Sequence, residues 1–229
     1  MKDFTEGNEF SQIIKFAIPL ILGNLMQHLY SVADSIIVGK FLENGEQGLA
    51  AIGAAFPVIF FLVSLVVGIS NGGSIIISHF FGKKDLEGIN KAIETINIFL
   101  FICAIIISVI GIMLAEPIFK AMNLPTDVIP EAVTYLQIYS IGFMGMFGYH
   151  AVSAVLRGIG NSKTPLYVLI ISSVLNILLD LLFIVVFKTG IEGVAWATVI
   201  AQTFTFIAVV IYLNKTHPLI HYRFGLQFD

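Results

Sequence analysis

Two aspartates, Asp34 and Asp180, stand inside stretches of apolar residues long enough to cross a bilayer. An ionised carboxylate at mid-membrane costs about 2.5 to 3.5 kcal/mol or more, so an acid at that depth reads first as a functional group. Asn176 precedes Asp180 by four residues and shares its helical face, with Ser173 a further turn away. Ahead of Asp34, the residues Asn24, Gln27 and Ser31 repeat at three- and four-residue spacing and form one polar stripe, a candidate for substrate contact. Carboxylate, amide and hydroxyl oxygens are hard donors that suit a sodium ion or a proton, and this set holds none of the thiolates or imidazoles that transition metals prefer. Two carboxylates in one low-dielectric site also favour keeping a proton between them. These residue types leave sodium and hydrogen ion open as alternatives. The plainer alternative for each aspartate is an interhelical hydrogen bond that holds a bundle together.

The elements that must position these groups follow from composition. The chain is 57% hydrophobic and only 12% charged, with a mean hydropathy of +0.94. Soluble domains carry about 25% charged residues, so this is an integral membrane protein. A spanning helix needs roughly 20 apolar residues, and the pattern predicts six spans, at about 13–38, 48–80, 93–115, 131–156, 165–187 and 193–213. No alternating pattern of barrel strands appears, so the fold is read as all-α, a bundle of six transmembrane helices. The second apolar run is longer than a bilayer is thick and must tilt, bend or protrude, with Pro57 and Gly72-Gly73 as the weak points. The first run is too long for a signal-peptide core and is expected to stay in the membrane.

Basic residues set the orientation. With the N-terminus inside, the inner segments hold Lys2, Lys15, Lys83, Lys84, Lys91, Arg157, Lys163, Lys215 and Arg223, against Lys40, Lys120 and Lys188 outside. Both termini are therefore placed in the cytoplasm. Spans 1 and 5 then run outward, so Asp34 and Asp180 both fall in the outer half of the membrane, at the depth of Tyr135 and Thr198 early in spans 4 and 6. Asp34, Tyr135, Asn176, Asp180 and Thr198 can thus share one cation- or proton-binding site, with sodium held at Asp34, Asn176 and Asp180. No nucleotide loop of the GxxxxGK[ST] type occurs, no nucleophile is paired with a histidine base, and no basic cluster points to nucleic acid. An enzyme is not expected, and no cofactor beyond the coupling ion. The lone Cys103 reads as a packed thiol, and the phenylalanines at 60, 61, 99 and 101 read as lipid-facing or packing residues.

Several segments resemble the multidrug and toxic compound extrusion (MATE) transporters: Ile18-Pro19-Leu20 with Ser31 to Ser35, the inner loop Leu156 to Pro165, Leu175 to Asp180, His79 to Asp85 and Gly190 to Thr198. The match covers nearly all of the chain and is nearest the prokaryotic DNA-damage-inducible branch. In that branch a cation site in the N-terminal lobe is made by an Asp of helix 1, a Tyr of helix 4, an Asn and an Asp of helix 5 and a Thr of helix 6. Asp34, Tyr135, Asn176, Asp180 and Thr198 match these positions. The resemblance implies a multidrug efflux antiporter of the plasma (inner) membrane that exchanges small organic, often cationic, compounds for sodium or protons. It also implies two six-helix lobes, of which residues 1–213 would be the first. Residues 214–229 would begin a cytoplasmic linker to a second lobe, in the same chain or another subunit. A flippase for lipid-linked oligosaccharides of the same architecture is the nearer alternative, and a membrane scaffold or channel subunit the more distant one. Membrane lipid is a partner on any of these readings.

Overall fold

The computed structural model describes residues 8–217 and 220. In chain order these form α1 (Glu9–Phe41), α2 (Gly45–Gly82), α3 (Leu86–Ala121), α4 (Ile129–Ile141), α5 (Phe143–Gly158), α6 (Lys163–Leu181) with a terminal π-turn (Leu182–Val186), and α7 (Ile191–Thr216), and no strand occurs among the described residues. With α4 and α5 counted as one bent span, six spans are long and apolar enough to cross a membrane. The bundle has two ends. One carries the α1–α2 turn and is called the Asn44 end; the other carries the α2–α3 turn and is called the Lys83 end.

Most helices outrun the apolar runs that announce them, and on α1 and α3 the polar N-terminal ends are satisfied locally. Asn8 caps α1 by accepting a hydrogen bond from the Ser11 N–H at 3.2 Å, and Asp85 caps α3 by accepting from the Gly88 N–H at 2.9 Å. The apolar stretch 93–115 is the middle of α3, whose ends carry the ion pairs Lys91–Glu87 at 3.0 Å and Lys120–Glu116 at 2.6 Å. The 38-residue α2 stays α-helical through Pro57 and through Gly72-Gly73. At 1.5 Å per residue it is about 57 Å long, so its ends reach past a hydrocarbon core of ~30 Å. Of the segment 214–229, α7 takes residues up to Thr216, and His217 and Ile220 follow it. Residues 218–219 and 221–229 lie outside the described residues.

The break in the bundle falls where no proline marks it. Residues 131–156, read as one helix, are the pair α4 and α5, bent by 46° at Gly142. There the Gly142 N–H donates to Tyr139 O at 2.9 Å, tightening the last turn of α4. The bend lays Gly142, Gly145 and Gly148 against α7. A Cβ added to them would stand 2.8 Å from Val199 Cγ2, 3.0 Å from the Thr203 backbone and 2.6 Å from the Phe206 ring. Close approach through small residues is what drives helix pairing in lipid, where no hydrophobic force acts between helices. At the end of α6 the Phe187 N–H donates to Leu182 O at 3.0 Å, the five-residue bond of a π-turn.

Two buried clusters fill the interior. At the Lys83 end Ile77, Ile93, Leu100, Phe147, Leu156 and Leu213 pack together. At the Asn44 end Val38, Phe119, Tyr135, Leu136, Ile184 and Ile191 do so. Cys103 packs half-buried on the first cluster, while Phe60, Phe61, Phe99 and Phe101 are exposed on the perimeter, as lipid-facing side chains are.

Candidate cation-binding site

The functional side chains come from four helices and one level. Asp34 lies seven residues before Phe41, Asp180 six before Val186, Tyr135 six after Ile129 and Thr198 seven after Ile191. Each is therefore about 10 Å along its helix from the Asn44 end. All are turned inward: Asp34 and Tyr135 are 4% exposed, Thr198 1%, and Asn176 and Asp180 0%. The structure thus brings Asp34, Tyr135, Asn176 and Asp180 together, with Thr198 at the same level beside Tyr30.

Their geometry centres on Asn176. With its amide nitrogen turned inward, Asn176 donates to Asp34 Oδ1 at 2.8 Å and to Asp180 Oδ2 at 3.2 Å. The bridging amide holds the two carboxyl groups close enough to act on each other electrostatically, and Asp180 Oδ1 is buried with no hydrogen-bond partner. Thr198 Oγ1 donates to Val194 O at 3.0 Å, which leaves its lone pairs to accept or to coordinate. No lysine, arginine or histidine pairs with either aspartate among the described residues, whose ion pairs are the two on α3.

Two further tyrosines close the site. The Tyr30 hydroxyl is buried beside Asp34 and faces Thr198 without a well-formed hydrogen bond. Tyr139 stacks at a tilt on Tyr135, ring centroids 5.9 Å apart, and lies close to Asp34. Sequence reasoning singled out neither. The available signal was spacing: Tyr30 is four residues before Asp34, and Tyr139 four after Tyr135.

The other predicted polar residues sit elsewhere. Asn24 is exposed on α1, and Gln27 and Ser31 are half-exposed, with Ser31 Oγ donating to Gln27 O at 3.3 Å. This stripe lies beside the buried cluster and is not part of it. Ser173 Oγ is occupied by Leu169 O at 2.9 Å. His150 belongs to a separate contact at the Lys83 end, where its carbonyl accepts from Ser70 Oγ at 2.7 Å and Arg157 reaches Ser70 Oγ at 3.1 Å and Asn71 Oδ1 at 3.3 Å. Among the described residues no group of three or more His, Cys, Asp or Glu is arranged to hold a metal, so any cation here must also use amide and hydroxyl oxygens.

Comparison with known proteins agrees with this architecture. A MatE family model matches residues 19–182. The chain is 36% identical over 218 residues to the probable multidrug resistance protein YpnP of Bacillus subtilis (strain 168), covering 95% of this chain and 48% of that protein. It is 38% identical over 209 residues to the probable multidrug resistance protein YoeA of the same organism, covering 89% and 45%. The crystal structure of MATE in the bent conformation superposes with a TM-score of 0.89 at 25% identity, over 97% of this chain and 49% of that one. The chain spans about half the length of the curated relatives it matches. Both the matched model and the shared helical lobe lead to one conclusion: the chain belongs to the multidrug and toxic compound extrusion (MATE) family of transporters.

Proposed function

We propose that the chain is one lobe of a secondary antiporter, which exports organic compounds in exchange for sodium or protons bound at Asp34, Asn176 and Asp180. The observation that carries this reading is the buried pair Asp34 and Asp180, which have no basic partner among the described residues and share one bridging amide. Two such carboxylates cannot both stay ionised in a low-dielectric interior without a proton or a cation between them. The inward amide nitrogen of Asn176 satisfies the pair when it holds a proton. Rotation of the same side chain would offer its carbonyl oxygen to a bound sodium ion. Binding and release of that ion is the event to which substrate movement is coupled.

The substrate path lies between this lobe and a second six-helix lobe, in the same full-length chain or another subunit. Asn24, exposed at membrane depth on α1, supports a cleft on that side, since a polar side chain facing hydrocarbon is costly. The excess of basic residues at the Lys83 end and around the ends of the chain supports a cytoplasmic position for both termini and for the Lys83 end, in a plasma-membrane transporter. Small organic compounds are the cargo, as the relatives named for multidrug resistance suggest. The test is Asp180→Asn in the complete transporter. The variant is expected to insert normally and to lose ion-coupled drug efflux, because it keeps a polar group of similar size and removes the exchangeable charge. Undiminished drug resistance in cells carrying it would overturn the assignment.

A further inference from the structure

We infer that a cavity at the Asn44 end is the access route of the coupling cation, with Glu131 as its receiving group. The inference rests on the reading of Asp34 and Asp180 as a cation site. A cavity of about 390 Å³ opens between the α1–α2 turn, at Phe41 and Asn44, the first turn of α4, at Glu131, and the π-turn, at Ile184, with Lys188 on its wall. Glu131 Oε2 is shielded there without a hydrogen-bond partner, an unusual state for a carboxylate oxygen so near water.

Helical spacing ties this cavity to the buried pair. Glu131 stands one turn outside Tyr135 on α4, and Ile184 one turn outside Asp180 on α6. The cavity floor is thus about 6 Å from the carboxylates along the helices. Ile184 and Ile191, which line the cavity, are 3% and 5% exposed and belong with the fully buried Val38 to one aliphatic cluster. Glu131 Oε2 at the cavity and Asp180 Oδ1 in the buried pair both lack a hydrogen-bond partner. The negative charges of Glu131 and Glu43 in the cavity, with Asp127 close to Glu131, concentrate cations there, and the positive charge of Lys188 on the same wall opposes them.

These opposed charges supply the test. The purified protein is melted over a titration of sodium against choline at constant ionic strength, and over a titration of pH. Glu131→Gln is expected to raise the sodium concentration of half-maximal protection about two- to tenfold, and Lys188→Gln to lower it, with the maximal protection unchanged. If protons are the protecting ion, the half-effect pH falls in Glu131→Gln and rises in Lys188→Gln. Glu131→Asp restores the wild-type midpoint. A merely structural role would not move the two midpoints in opposite directions. Because a midpoint is indifferent to the path of entry, the rate of sodium binding by stopped-flow fluorescence must also fall in Glu131→Gln; an unchanged rate would overturn the access route. Wild-type midpoints in both Gln variants, with the response abolished by Asp180→Asn, would overturn the access route and leave the cation site standing. No response of the wild-type protein to either ion would sink the cation site and this inference with it.

Discussion

Asn176 is the residue on which the proposed cation site depends, because its amide nitrogen, turned inward, meets both carboxylates at 2.8 and 3.2 Å. Replacing it by alanine leaves buried acceptors unsatisfied, so Asn176→Ala should lower stability by about 1–3 kcal/mol, read as an earlier thermal transition in either salt. Thr198→Val should act differently. It removes an oxygen donor from a 1% exposed position and is expected to weaken the sodium response while leaving protonation of Asp34 intact; an unchanged sodium midpoint would take Thr198 out of the site. That Asp34, Tyr135, Asn176, Asp180 and Thr198 would fall near one level was readable because depth along a membrane helix is a count of residues at a fixed rise. Tyr30 and Tyr139 were not read. Tyrosine near a membrane interface has an ordinary anchoring explanation, and only the tertiary structure shows that these two face the carboxylates. Asn24 fits a helical stripe with Asp34, yet the stripe is wide enough that its far member points away from the pair.

At the scale of elements, the bundle depends on how closely α5 approaches α7. Gly145→Val would push a branched side chain against the Thr203 backbone, 3.0 Å from the position of a Cβ, and should cost about 1–3 kcal/mol. Gly53→Ala is the matched control. Nothing lies within 4 Å of a Cβ there, and the better helix former is expected to be neutral or to stabilise by up to about 1 kcal/mol. Melting the two variants side by side checks both signs, and equal losses would refute the packing argument. The six spans and their helical type were readable from runs of apolar residues, because lipid admits only helices and closed barrels. The 46° bend was not. Pro57 looked the stronger breaker, yet α2 runs on through it, while the bend follows a glycine stripe whose purpose appears only when α7 is in place.

For the whole molecule, orientation is the property that most constrains mechanism, since it decides which solution reaches the cavity beside Glu131. In a Cys103→Ser background, Lys188→Cys is expected to react with a membrane-impermeant thiol reagent in intact cells and Lys84→Cys only after lysis. The reverse pattern would invert the topology and place the access route inside. The chain matches about half the length of its curated relatives, and its α1 carries exposed large apolar residues along most of its length, among them Ile13, Ile21, Leu25, Leu29 and Val32. Some of these face lipid, and on the proposed reading others meet the second lobe. Hydropathy alone does not separate the two, because lipid and a partner helix offer equally apolar surroundings. The central claim is that Asp34, Asn176 and Asp180 hold one exchangeable cation, and it is tested most directly by melting the purified protein in sodium and in choline chloride across the neutral pH range. Sodium is expected to raise the transition of the wild-type protein above that in choline, and Asp180→Asn to erase the difference; identical curves with a steep pH dependence would assign the site to protons instead. Wild-type curves that respond to neither ion, or an Asp180→Asn variant that responds as the wild type does, would contradict the claim.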